Sequence, residues 1–283
     1  MLNVFAHINI TDWDRVKTSV AAFPAFAFRG QACKDWGLTT ALERAADIGR
    51  WPSRDLWSRE QWILHQFKRR AHLMLSTDGP TSDLEWLALI QHFGGPTRLL
   101  DVTYSFYVAM FFALEAATTD AAVWAINLWR LDCLNGIEDE LLIDERQKRY
   151  RTVASQLIEN RPTSFGVLPV EPYRLNERMA TQQGFFLLPR DPGRTFFENL
   201  NAVMPFEYDA RHNDPLTELS LDEFVKNPIL NSAAVIKFVV PHGLHNKIMR
   251  DLSRMNVDAT SLFPGLDGFA RSMKKHLRYL NDA

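Results

Sequence analysis

A chain of 283 residues, 46% hydrophobic and 23% charged, has enough apolar material for one large globular domain or two small ones. Its net charge of −2 excludes a global basic field that would recruit nucleic acid or anionic membrane, although local basic patches are still allowed. The two cysteines, Cys33 and Cys133, are far apart, which argues against a disulfide framework and a cysteine-based zinc site. We therefore expect a cytoplasmic protein, and no segment predicts a signal peptide or a membrane span.

The first half of the chain predicts short strands and amphipathic helices. The predicted strands cover residues 2–10, 25–28, 99–102 and 121–128. The predicted helices cover residues 11–22, 59–75, 82–92 and 105–117, with Thr11, Ser82 and Ser105 as caps. Residues 31–58 are expected to form an irregular or short-helix region.

The second half has a weaker pattern. We expect helices over residues 145–158 and 244–255, and a final helix that ends near Leu280. Strands are expected at residues 185–188, 195–197 and 233–240, with a polar loop at residues 209–215. The strands are too scattered for regular βαβ alternation, so the predicted fold class is α+β, with a mixed β-sheet core and surrounding helices.

The stretch from Gln91 to Glu115 places polar residues at the start of a very apolar helix. The polar residues are Gln91, His92, Thr97, Arg98, Asp101 and Thr103. A buried Asp or Arg costs several kcal/mol unless it is paired. The cluster is therefore either a satisfied structural network, for example with Arg98 paired to Asp101, or a functional site. His92 is in the same way either a hydrogen-bonded cap or an acid or base.

An arginine, Arg29, ends the predicted strand at residues 25–28 and is followed by Gly30. An arginine in this position needs an acidic partner, or it holds an anion such as a phosphate in its planar fork. Gly30 allows a turn or lets a ligand approach the backbone closely. The sequence leaves both pairs of alternatives open.

Five motifs lie between Phe28 and Gly268. They are Phe28–Gln31, Gln91–His92 with Gly95–Thr103, Ala109 with Phe112–Ala113, Arg178–Met179 with Gln182–Gly184 and Phe186, and Leu262–Gly268. Through these motifs the chain resembles the FRG-domain proteins of bacteria and phages, which are named for a Phe/Tyr–Arg–Gly motif. The resemblance implies a single FRG domain over residues 1–283, but it names no reaction.

A weaker resemblance links the chain to ADP-ribosyltransferases of the Arg–Ser–Glu type. Arg29 matches their strand-end arginine, Asp101–Thr103 stands where their Ser–Thr–Ser strand would, and Val108–Ala113 matches the following helix. Gln182–Pro189 resembles their catalytic strand, with glutamine where the catalytic glutamate is expected. Glutamine can hydrogen-bond a ribose but cannot offset positive charge, so Asp101 is the candidate for supplying that charge.

This resemblance implies NAD as substrate and a site without metal. The expected catalytic residues are Arg29, His92, Asp101, Thr103 and Gln183. The expected nucleotide contacts are Arg29, Gly30, Gln31, Arg98 and Thr103. We expect the strand ends at Arg29, Asp101 and Gln183 to meet at one cleft.

Three functions follow from these observations. The first is NAD-dependent modification of a macromolecule, as a toxin or defence effector in conflict between bacteria and phages. Its partners would be a small nucleotide and a protein or nucleic-acid acceptor, the latter in a groove near Lys68–Arg70. The second is a sensor that binds a nucleotide or a phage component without catalysis. The third is a nuclease-like phosphodiester enzyme that uses His92, Arg98 and Asp101. The oligomeric state is left open.

Overall fold

The computed structural model of the chain describes most of its residues and confirms the α+β class. The described residues are 5–20, 25–52, 55–75, 79–134, 143–161, 164–173, 177–205, 208–209, 214–215, 217–226 and 235–274. Within them, helices surround a mixed sheet of eight strands. None of the helices in these ranges is long and apolar enough to cross a membrane.

The sheet consists of β1 (Phe5–Asn9), β2 (Phe26–Gln31), β3 (Leu100–Thr103), β4 (Ala121–Asn127), β5 (Val167–Val170), β6 (Gly184–Pro189), β9 (Thr217–Glu218) and β10 (Val235–Val240). Their order in the sheet is β5-β6-β3-β2-β4-β10-β1-β9. A separate pair consists of β7 (Tyr208–Asp209) and β8 (Asp214–Pro215). Strand β1 runs parallel to both of its neighbours, and the other pairs in the sheet are antiparallel.

The helices pack on both faces of this sheet. They are α1 (Trp13–Ser19), α2 (Ala41–Gly49), α3 (Leu56–Ala71), α4 (Asp83–His92), α5 (Phe106–Leu114), α6 (Leu128–Leu134), α7 (Ile143–Glu159), α8 (Glu177–Thr181), α9 (Phe196–Val203), α10 (Leu221–Lys226), α11 (His245–Arg254), α12 (Ala259–Leu262) and α13 (Leu266–Ser272). Ser82 and Ser105 cap α4 and α5 as the sequence predicts, because each hydroxyl accepts a backbone N–H of the first turn. Helix α1 is capped by Asp12 rather than Thr11.

Helix α5 is the apolar centre of one face. Phe28 of β2 packs edge-to-face against Phe106 of α5, with ring centroids 5.5 Å apart. The two elements approach very closely at Gly30, where a Cβ would lie only 1.9 Å from the carbonyl oxygen of Ala109. The glycine therefore serves the packing of α5 on β2, a reason that the sequence did not reveal.

The other face carries α9, where the sequence prediction was wrong. Residues 195–197 were expected to form a strand, but Thr195 caps α9 in a capping box with Glu198. Phe196, Phe197 and Leu200 are all fully buried at helical spacing, so tertiary packing overrides the strand preference of a Thr-Phe-Phe run. Part of the expected loop at residues 209–215 is the β7–β8 pair, and the expected helix end at Leu280 lies outside the described residues.

Candidate functional site

A cleft of ≈ 820 Å³ opens beside the junction of β2 and β3. The two strands pair only where Phe28 lies opposite Thr103. The cleft is lined from four sides: by β2, by β3, by the end of α4, and by α8 with the start of β6. Its polar lining residues include Arg29, Gln31, Gln91, His92, Asp101, Thr103, Arg178 and Gln182. The structure thus brings together most of the residues that the sequence singled out.

Arg29 bridges the two strands at the floor of the cleft. Its Nη1 donates to the backbone carbonyl of Asp101 at 2.7 Å and lies 3.9 Å from the Asp101 carboxylate. Its Nε is buried and has no hydrogen-bond partner among the described residues. Burial lowers the pKa of the guanidinium, and the charge of Arg44 adds to this, while Asp101 opposes it. Arg29 therefore has an internal acceptor on β3, and the alternative that it holds an anion stays a prediction.

Asp101 presents its carboxylate to solvent, with 59% of its side chain exposed. Gln91 holds it, because Gln91 Nε2 donates to Asp101 Oδ2 at 2.7 Å and to the Leu99 carbonyl at 3.1 Å. Thr97 in turn donates its hydroxyl proton to Gln91 Oε1 at 2.5 Å. The sequence named Gln91 and Thr97 without giving them a role, and the structure shows that they orient the carboxylate.

Gln31 and Thr103 hold the walls of the cleft. The Gln31 amide donates to the Gly37 carbonyl at 2.9 Å and accepts from the Trp124 indole at 2.7 Å. The Thr103 hydroxyl donates to the Gln182 carbonyl at 2.8 Å. Both side chains are buried. The Gln31 bonds join β2 to β4 and to the segment at Gly37, and the Thr103 bond joins β3 to the residue pair before β6.

Arg98 lies away from the cleft. It is fully buried, and its guanidinium forms an ion pair with Glu60 of α3, with Nε 2.5 Å from Oε2. The backbone N–H of Arg98 donates to the other carboxylate oxygen at 2.9 Å. Arg98 is therefore paired with Glu60 and not with Asp101, and the structure does not place it among the residues that line the site.

The prediction that Gln183 lines the cleft is wrong, and its neighbour Gln182 lies there instead. Gln183 has a left-handed backbone, with φ +49°, and its side chain is exposed rather than lining the cleft. Gln182 lines the cleft instead, and its amide donates to the Leu262 carbonyl at 2.9 Å. Neither residue brings a carboxylate to the position where the resemblance expects one.

His92 lines the cleft at the end of α4 and is partly exposed. Burial lowers its pKa, and the positive charge of Arg178 lowers it further. The imidazole is therefore neutral at pH 7 and can accept a proton. Its ring packs against that of Phe93, with centroids 5.0 Å apart.

The sequence missed the outer rim, which residues 35–47 contribute. Trp36 is 56% exposed at the cleft, and α2 adds Arg44 and Asp47. Arg44 is held by a 2.6 Å hydrogen bond from its Nη1 to the Thr39 carbonyl. The only available signal was the presence of tryptophans among polar residues in a stretch without clear periodicity.

The FRG-domain family model matches residues 24–122 of the chain. The chain carries an FRG domain. Comparisons with curated proteins and with solved structures gave no match.

The FRG domain supplies three sides of the cleft. Arg29, Gln91 and Asp101 all lie within the matched range, whereas Arg178 and Gln182 lie beyond it. In the part of the chain that the structure describes, no group of three or more His, Cys, Asp or Glu side chains could hold a metal ion.

Proposed function

We propose that the cleft binds NAD and that the FRG domain transfers its ADP-ribose to a macromolecule. The observation that carries the proposal is the position of the partly exposed Arg29 guanidinium beside the exposed Asp101 carboxylate in one cleft. The order of Arg29, the Asp101–Thr103 strand and the β6 strand also resembles that of an ADP-ribosyltransferase.

The size and lining of the cleft suit a dinucleotide. Its volume of ≈ 820 Å³ falls in the usual range for small-molecule sites. Arg29 and Arg44 would hold the diphosphate, because a guanidinium matches phosphate oxygens with two parallel hydrogen bonds. The exposed ring of Trp36 offers a surface on which a base can stack.

The chemistry breaks the bond between the ribose C1′ and the nicotinamide nitrogen. Positive charge develops on the ribose as neutral nicotinamide leaves, and the Asp101 carboxylate offsets that charge. The acceptor nucleophile then forms the new bond to C1′, and its proton goes to neutral His92. The products are ADP-ribosylated acceptor, nicotinamide and a proton.

The biological role belongs to the same proposal. An enzyme of this kind would act in the cytoplasm as a toxin or defence effector in conflict between bacteria and phages. Its acceptor would be a protein or a nucleic acid.

A nucleotide sensor is the second candidate function. It is favoured by the glutamines at positions 182 and 183, where a transferase would place a catalytic acid. The hydrogen bond from Gln91 to Asp101 also occupies one carboxylate oxygen before any ligand arrives.

The test combines calorimetry with an assay of nicotinamide release from NAD in the presence of cell extract. Arg29→Lys should weaken NAD binding by about 10- to 100-fold, since it loses charged hydrogen bonds. Asp101→Asn should retain binding and slow nicotinamide release by about 100-fold or more. Arg254→Lys and Asp267→Asn, which change residues outside the cleft, are the matched controls.

The outcomes separate the alternatives. Binding and release by the native protein support the transferase if Arg29→Lys weakens binding, Asp101→Asn slows release while it retains binding, and the controls change neither. Binding without release supports the sensor. If the native protein neither binds NAD nor releases nicotinamide, both functions are wrong for this ligand.

A further inference from the structure

A second groove, of ≈ 410 Å³, lies between the start of α4, the middle of α7 and Tyr173, which follows β5. Besides that of Tyr173, four hydroxyl groups line it, from Thr81, Ser82, Thr152 and Ser155. Thr81 and Thr152 already donate their hydroxyl protons to Glu85 and to the Lys148 carbonyl, so Ser82 and Ser155 are the two that can donate to a negatively charged ligand. The groove shares no lining residue with the cleft.

The charges in the groove also favour an anion. Lys148 and Arg151 of α7 line it, and neither forms an ion pair with an acid in the described ranges. Glu85 is the one acid among its lining residues, and its carboxylate accepts the N–H and the hydroxyl of Thr81. Lys68, near which the sequence predicted a groove for a nucleic-acid or protein acceptor, is paired with Asp83. The two available cations are thus on α7.

An aromatic ring lies beside these cations. Tyr173 is 78% exposed, and the guanidinium of Arg151 lies 5.6 Å from the centre of its ring. A free phosphate would use the cations and hydroxyls but not the ring. A cationic groove with an exposed aromatic side chain is the arrangement that binds single strands, because unpaired bases stack on the ring while phosphates contact the cations.

Helix α4 connects the groove with the cleft. Ser82 and Glu85 line the groove, and Ala88 and Gln91 line the cleft. At 3.6 residues per turn, the nine residues from Ser82 to Gln91 make about two and a half turns, so this row of side chains winds halfway around α4 between the two sites. The distance from Ser82 to Gln91 along the helix is roughly 14 Å, at 1.5 Å per residue.

We propose that this groove binds single-stranded nucleic acid, with phosphates on Lys148 and Arg151 and a base on Tyr173. The binding requires no NAD, so it extends beyond the proposed transferase activity. If that activity is correct, the strand would enter the cleft along α4 as the acceptor.

Fluorescence anisotropy with a labelled oligothymidylate of about 12 nucleotides, in the absence of NAD, tests the proposal. Lys148→Ala/Arg151→Ala should weaken binding at least 10-fold and reduce the slope of log affinity against log salt by about 1.4, for two lost phosphate contacts. Tyr173→Ala should weaken binding by roughly 5-fold or more, whereas Tyr173→Phe should retain it. Arg254→Ala/Lys274→Ala removes the same charge elsewhere and should have little effect.

Three results would overturn the proposal. They are absence of binding, equal losses in the groove variant and the charge-matched control, and equal affinity for a duplex or for inorganic phosphate. NAD binding in the cleft is measured separately by calorimetry, and its outcome does not depend on any of these three results. Failure here is therefore distinguishable from failure of the proposed transferase.

Discussion

At the scale of single residues, Glu43 connects two helices behind the cleft. It closes the capping box of α2 with Thr40, and its Oε1 accepts the Phe196 N–H at 2.6 Å. Burial raises the pKa of Glu43 to about 7, the two N–H donors of Thr40 and Phe196 lower it in part, and the charge of Asp47 raises it further. Glu43 thus holds α2 in place, and α2 positions Arg44 at the rim of the cleft.

The pH dependence of stability should show this burial. Because the pKa is raised on folding, the folded state binds more protons than the unfolded state between pH 4.5 and about 7. The stabilising contribution is therefore complete below pH 4.5 and is lost as the pH rises through 7. As the pH rises from 5 to 8, we expect the melting temperature of Glu43→Gln to increase relative to that of the native protein.

Thermal melts at several pH values provide the measurement. Glu198→Gln is the matched control, because Glu198 occupies the same capping-box position in α9 with an exposed side chain. A difference between Glu43→Gln and the native protein that does not change with pH would contradict the prediction.

The buried pair of Glu60 and Arg98 gives a second prediction at this scale. Glu60→Gln leaves a charged guanidinium without its partner and should lower the free energy of unfolding by about 3–5 kcal/mol. Asp267→Asn, which weakens an exposed pair with Arg271, should cost less than about 1 kcal/mol. Urea denaturation measures both, and similar values for the two variants would show that burial does not strengthen the Glu60–Arg98 pair.

At the scale of elements, the contact of β2 with α5 depends on Gly30. A Cβ there would also lie 2.5 Å from the Ala113 nitrogen, so it would meet helix backbone rather than a movable side chain. Gly30→Ala should therefore push α5 away from the sheet and lower the free energy of unfolding by about 3 kcal/mol or more. Gly243→Ala, with no atom within 4 Å of the added Cβ, should change it by less than about 0.5 kcal/mol.

Denaturation of the two variants checks this prediction. If Gly30→Ala matched Gly243→Ala in stability, α5 would have to relax freely, and the role of Gly30 in packing would be wrong. Loss of NAD binding at unchanged stability would instead indicate that the glycine serves a ligand.

The sequence predicted elements best where a cap is visible. Ser82 and Ser105 mark helix starts because each hydroxyl accepts a backbone N–H from the first turn of the helix that follows it. It failed at Thr195, where the strand preference of Phe196 and Phe197 was followed although Thr195 and Glu198 have the spacing of a capping box.

The candidate site was predictable only in part. Asp101 and Arg29 were found from polarity beside apolar runs. The partner of Arg98 was not, because Glu60 is 38 residues away in the chain. The left-handed backbone of Gln183, which turns its side chain out of the cleft, likewise has no clear sequence signal.

At the scale of the whole molecule, the FRG match is smaller than the structural unit. It ends at residue 122, as β4 begins, and β4 forms six residue pairs with β2 on one side and six with β10 on the other. Strand β6, the partner of β3, also lies beyond it. We therefore predict that residues 24–122 alone do not fold, while the whole chain behaves as one domain.

Circular dichroism and proton NMR of the fragment, beside the full chain, provide the test. The fragment should lack a cooperative thermal transition and dispersed amide signals. A folded fragment with a cooperative melt would contradict the single-domain prediction for residues 1–283.

The single Phe28–Thr103 pair has a mechanical consequence. The sheet consists of a three-stranded block and a five-stranded block, and the backbone ladder barely joins them. Helix α5, which follows β3 and packs on β2, and the Arg29–Asp101 hydrogen bond are further connections between the two blocks. A molecule that contacts both blocks in the cleft would restrict their motion relative to each other. Its binding would therefore reduce the mobility of strands in both parts of the sheet.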